Sequence, residues 1–108
     1  MRRTLAELQT MVAEVSDTYA SRNDIRRDDD WYILKIQEEL GELTAEYLKS
    51  TARGRLKGAD STTVRQALED ETADVLAMLL LFARHNGIDI EAALERKWFQ
   101  YLDRSSTV

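Results

Sequence analysis

The 108-residue chain has no cysteine, no proline, only four glycines and a single histidine. The missing cysteines exclude a disulfide frame and a thiolate metal site. With no proline and so little glycine, almost nothing interrupts helices, and an all-α fold is the simplest expectation. The lone histidine, His85, excludes a di-iron carboxylate bundle, which needs two Glu-x-x-His motifs; Phe82 stands three residues before it. Long apolar runs are missing too. The longest, Val75 to Ala83, falls far short of the roughly 20 residues that span a bilayer. Met1-Arg2-Arg3-Thr4-Leu5 leads into an amphipathic pattern without a long apolar stretch, so no secretory signal is expected and the cytoplasm is the default compartment. Positive charge is not in excess either. A net charge of −5 argues against a general nucleic-acid binder. It leaves a nucleotide binder open, because carboxylates that hold a cation still count as negative in the sequence.

What is present suits one globular domain over residues 1–108, with 44% apolar and 32% charged residues. Leu5, Leu8, Met11, Val12, Val15 and Tyr19 recur at helical spacing and predict a first helix over roughly 3–22. A polar stretch follows. Asp28, Asp29 and Asp30 then place negative charge at the start of a second helix, roughly 30–50, with an apolar stripe of Ile33, Ile36 or Leu40, Leu43, Tyr47 and Leu48. Gly54 and Gly58, with Arg53, Arg55 and Lys57, mark a basic loop. Ser61, Thr62 and Thr63 offer N-caps for a third helix from about 63 to 85 or 86, and Asn86-Gly87 offers a left-handed C-cap. Asp89 caps a fourth helix, about 90–103, and 105–108 reads as a frayed tail. At 1.5 Å per residue the third helix is a rod of roughly 36 Å, as long as a compact domain of this size is wide. Its second half is apolar all round, so burial on every side is expected, in a bundle completed by homo-oligomerisation, as homodimer or homotetramer.

Two acidic pairs carry the chemistry: Glu39-Leu40-Gly41-Glu42 and Glu71-Thr72-Ala73-Asp74. Residues three apart share a helix face. If the second and third helices pack face to face, four carboxylates converge, and they repel one another unless a cation sits between them. Oxygen ligands alone point to a hard ion, Mg²⁺, with Mn²⁺ as a substitute. A solvated acidic face is the ordinary meaning of such spacing, but these acids border apolar stripes. Lys35 is placed to pair with Glu39 and Arg65 with Glu69, and neither cancels all four acids. Gly41, inside a helix, costs about 1 kcal/mol relative to Ala. It either eases helix packing or admits a ligand or another backbone. His85 reads as a cation at a helix C-terminus or a satisfied surface group.

Three segments, Lys35-Ile36-Gln37-Glu38-Glu39-Leu40-Gly41-Glu42-Leu43, Glu69-Asp70-Glu71-Thr72-Ala73-Asp74-Val75-Leu76 and Gly87-Ile88-Asp89 through Lys97, together resemble the MazG-like nucleotide pyrophosphohydrolases of the all-α NTP pyrophosphatase superfamily. The resemblance spans roughly residues 28–102 and implies a four-helix MazG-like fold. It implies that Glu39, Glu42, Glu71 and Asp74 are the Mg²⁺ ligands, with Glu38 supporting them or orienting water. It implies Lys97 as a contact to substrate phosphates. Tyr101 stands where family members often carry Asn, a departure at that end of the site. Lys35 joins this substrate-binding set, and Trp31, Tyr32 and Trp98 are stacking candidates for a base, though each suits a core as well. The implied reaction cleaves a nucleoside triphosphate, canonical, deoxy or modified, between the α and β phosphates. Two other functions fit the residues. One is a phosphoribosyl-ATP pyrophosphatase; the other is a non-catalytic helical oligomerisation or regulatory module whose acids are merely solvated.

Overall fold

A computed structural model describes residues 2–51 and 60–102. The basic loop with Arg53, Arg55 and Lys57, and the tail from 103 onward, lie outside the described residues. The described chain is all-helical, in the order α1 (Leu5–Arg22), α2 (Trp31–Ser50), α3 (Ser61–His85) and α4 (Ile90–Lys97), followed by a 3-10 turn at Phe99–Tyr101. Among the described residues there is no strand, and no helix is long and apolar enough to cross a membrane.

Each helix starts where a side chain satisfies its free N–H groups. Thr4 and Glu7 form a reciprocal capping box, so α1 begins at Leu5 rather than residue 3. Of the three aspartates before α2, Asp28 does the capping: its Oδ1 accepts from the backbone N–H of Asp30 and Trp31 at 3.1 and 2.9 Å. The α3 cap is Asp60, which accepts from the Thr63 N–H at 2.8 Å, not Ser61, Thr62 or Thr63. That hydrogen bond holds the Asp60 carboxyl below its ordinary pKa. Asp89 caps α4 as expected.

Gly87, with φ of 64°, ends α3 in a Schellman turn, with Ile88 N–H to Ala83 O at 2.8 Å and Gly87 N–H to Arg84 O at 3.2 Å. The fourth helix stops at Lys97, short of residue 103. From Trp98 the aromatic run tightens into i→i+3 bonds, Tyr101 N–H to Trp98 O and Leu102 N–H to Phe99 O.

α2 and α3 form the principal pair, α1 lies against α3, and α4 packs chiefly on the turn that follows it. The central cluster is Ala13, Tyr32, Met78 and Leu81, with Val12, Trp31, Ile36 and Phe82 against it. Two expected stripes are therefore rotated. On α2 the inward residues are Tyr32 and Ile36, while Ile33, Leu40 and Tyr47 are exposed. On α1 the small residues Ala13 and Ala20 are buried, and Leu8, Met11, Val15 and Tyr19 stay exposed. On α3, Met78, Leu80, Leu81 and Ala83 are buried, but Leu76 and Leu79 are not, so the single chain does not bury this segment on every side. A radius of gyration of 17.3 Å exceeds the roughly 13 Å of a compact chain this long.

Polar clasps tie the ends together. Arg27 donates to Ser16 and Asp17 at 2.9 and 3.0 Å, and Arg84 reaches Asp17 at 3.4 Å. His85 stacks on Tyr32 at 4.6 Å between ring centroids and meets Asp29 at 3.0 Å. It is a satisfied group at the end of α3, and Tyr32 is a core residue.

Candidate metal centre

The rotation of α2 brings its acids inward. With Tyr32 and Ile36 facing the core, Glu39 falls on the same arc one turn later, and Glu42 follows at its margin. The facing turn of α3 presents Glu71. One carboxylate oxygen from each of Glu39, Glu42 and Glu71 lies within 4.8 Å of the others. Asp74, the fourth expected ligand, is outside this trio but close enough that its charge raises the pKa of both Glu39 and Glu71.

The electrostatics are those of a cluster lacking a counter-charge. Burial, then the neighbouring charges of Glu42, Asp74 and Glu71, push the Glu39 carboxyl up to about 7. Burial and the charges of Glu42 and Asp74 raise Glu71 as well. Glu39 Oε2 and Glu71 Oε2 are buried with no hydrogen-bond partner. An orphaned carboxylate oxygen at the edge of a core is costly, and a cation between the two helices resolves it. The three carboxylates lie close enough together to share one metal ion, and their all-oxygen donor set suits a hard divalent ion.

Beside the acids opens an apolar groove of about 910 Å³. Its walls include Leu8, Met11, Val15 and Tyr19 of α1, Trp31 of α2 and Met78 of α3, and Glu39, Asp74 and Lys35 also line it. The α1 stripe was legible in the sequence as apolar periodicity; that it lines a groove rather than a core was not. Lys35 sits 5.9 Å above the Trp31 ring and pairs with Glu38 at 3.2 Å, not with Glu39. Glu38 is exposed, on the outer side of the acidic trio. Arg65 pairs with Glu69 at 3.1 Å as expected.

The residues expected from the far end of the chain are not gathered here. Lys97, Trp98 and Tyr101 are exposed on α4 and its turn, and none lines the groove. A Cβ placed on Gly41 would meet nothing within 4 Å, so packing within the chain does not demand this glycine. Comparison of the chain with protein-family models, curated proteins and solved structures gives no match.

Proposed function

We propose that this protein is a Mg²⁺-dependent nucleotide pyrophosphohydrolase with a MazG-like fold, which hydrolyses a nucleoside triphosphate to the monophosphate and pyrophosphate. The observation that carries this reading is the pair of buried, unpartnered carboxylate oxygens on Glu39 and Glu71, within a cluster that opens onto an apolar groove. Glu39, Glu42 and Glu71 would hold the ion, with Asp74 alongside. Held there, the ion would supply charge neutralisation on the phosphate oxygens and lower the pKa of a water. Water oxygen would bond to the α-phosphorus as the α–β anhydride bond breaks, with pyrophosphate leaving with the bonding pair and the water's proton passing to a carboxylate of the cluster. The groove takes the base and excludes water, with Trp31 as its stacking wall. Lys35, at the boundary of groove and acids, meets phosphate. Such a substrate fits a cytoplasmic protein, and the exposed apolar faces of α2 and α3 fit a homodimer or homotetramer.

A phosphoribosyl-ATP pyrophosphatase would use the same chemistry, and a substrate panel separates the two. A non-catalytic oligomerisation module accounts for the exposed apolar faces but leaves the two orphaned oxygens unexplained. Glu71→Ala is the direct test. It should abolish Mg²⁺-dependent pyrophosphate release while circular dichroism stays helical; full retained activity refutes the site.

A further inference from the structure

The acids stand at one end of the groove. Trp31, Lys35 and Glu39 line it at single-turn intervals along α2, about 6 Å each, so Glu39 lies about 12 Å along the helix from Trp31. Along α3, α1 climbs away from the acids. Gln9 near its start donates to the Leu80 carbonyl at 2.9 Å, and Asp17, two turns later, meets Arg84 at 3.4 Å. Arg84 is about 15 Å along α3 from Asp74. Ser16, the neighbour of Asp17, therefore lines the groove at the end opposite the acids. Of the hydroxyls on the groove wall, Tyr19 is 61% exposed, whereas Ser16 is half-buried.

The Ser16 hydroxyl is held from behind. Arg27, whose side chain is only 19% exposed, donates from Nη1 to Ser16 Oγ at 2.9 Å and from Nη2 to Asp17 Oδ1 at 3.0 Å. Neither Arg27 nor Asp17 lines the groove. A guanidinium accepts no hydrogen bond, so the serine proton points elsewhere. Hydroxyls within a helix can give that proton to the carbonyl four residues back, as Thr10, Thr44 and Thr72 do. Ser16 does not, and no acceptor among the described residues takes its proton.

We propose that Ser16 reads the base of the nucleotide. Its hydroxyl donates to an acceptor on the base edge, a carbonyl oxygen or an unprotonated ring nitrogen, while Trp31 stacks on the ring. The inference deepens the pyrophosphohydrolase reading above and rests on it. An apolar wall sorts bases by size and shape, with little power over their hydrogen-bonding pattern. A fixed donor disfavours a base that turns an N–H or C–H edge toward it, because the hydroxyl then has no partner. Arg27 fixes the serine oxygen and turns the proton away from itself. The order along the groove is the order along a nucleotide: acids and Lys35 for the phosphates, Trp31 for the ring, Ser16 for its far edge.

The probes are the canonical nucleoside and deoxynucleoside triphosphates. For the one the wild type cleaves best, deaza and thio analogues are added, in which one ring nitrogen becomes C–H or one carbonyl oxygen becomes sulfur. With Mg²⁺, Ser16→Ala should lower kcat/KM for the parent nucleotide by about fivefold. One analogue should lose about as much on the wild type and nothing further on Ser16→Ala, the non-additivity expected when both changes remove the same hydrogen bond. A general loss of stability does not produce that pattern. If Ser16→Ala leaves the parent unchanged, or lowers the parent and every analogue alike, Ser16 does not read the base and the pyrophosphohydrolase reading stands. If the wild type cleaves no nucleotide, both fall together.

Discussion

Replacing Glu39 with Gln should change how stability depends on pH, and by an amount the site geometry sets. In the unfolded chain the carboxyl titrates near 4.5; in the folded protein burial and three acidic neighbours raise it to about 7. Below pH 4.5 both states hold the proton and the site costs nothing. Between 4.5 and 7 the folded state binds a proton that the unfolded state has lost, so stability falls as pH rises. Above 7 the whole penalty is present. A shift of that size corresponds to about 3 kcal/mol. Glu39 is partly exposed, and screening by water reduces this to about 1–2 kcal/mol. For a domain of this length the melting temperature should drop by about 5–10 °C between pH 5 and pH 8 in EDTA. Glu39→Gln removes the titrating proton and should flatten that slope. On the proposed reading Mg²⁺ would bind the ionised cluster only, so it should raise the melting temperature at pH 8 and leave it unchanged at pH 4.5. Thermal unfolding followed by circular dichroism across this range, with and without Mg²⁺, reads all three effects. A wild-type melting temperature that is flat or rises with pH in EDTA, or a slope undiminished by Glu39→Gln beyond the share that the raised Glu71 carboxyl contributes, refutes the reasoning.

Val15→Lys puts a charge on the groove wall at a side chain that is 70% exposed, so stability should change by less than about 0.5 kcal/mol. Nucleotide KM should rise by about tenfold with kcat little altered, which steady-state kinetics would show. Gly87→Ala forces a side chain into the left-handed region and should cost about 1 kcal/mol in urea unfolding, without touching Mg²⁺ binding. Thr4→Ala removes half of the α1 capping box, for a similar loss of about 1 kcal/mol.

Helix number and order were legible because breakers are few and caps are local chemistry. Asp89 and the Asn86-Gly87 turn act where the sequence places them. Which face turns inward was not legible. On α2 the stripe of Ile33, Leu40 and Tyr47 has as good a helical period as Tyr32 and Ile36, and only the tertiary pairing with α3 chooses between them. That choice turns Glu39 toward the core. On α1 the strongest apolar stripe lines the groove while Ala13 and Ala20 do the packing, since small residues let α1 lie close to α3. The acidic cluster was visible as spacing on two helices, and the trio converges. Asp74 lies at its margin, Lys35 chooses Glu38 over Glu39, and Lys97 is carried on a helix that packs little against the rest. Spacing fixes which residues share a face, but not where a separate helix comes to rest.

The most direct test of the central claim is pyrophosphate release from a panel of canonical and modified nucleoside triphosphates, measured with Mg²⁺ and with EDTA. The account predicts release of pyrophosphate and the matching monophosphate from at least one nucleotide, only with the metal, and lost in Glu71→Ala. No release from any nucleotide, together with no Mg²⁺-induced rise in melting temperature, would contradict it.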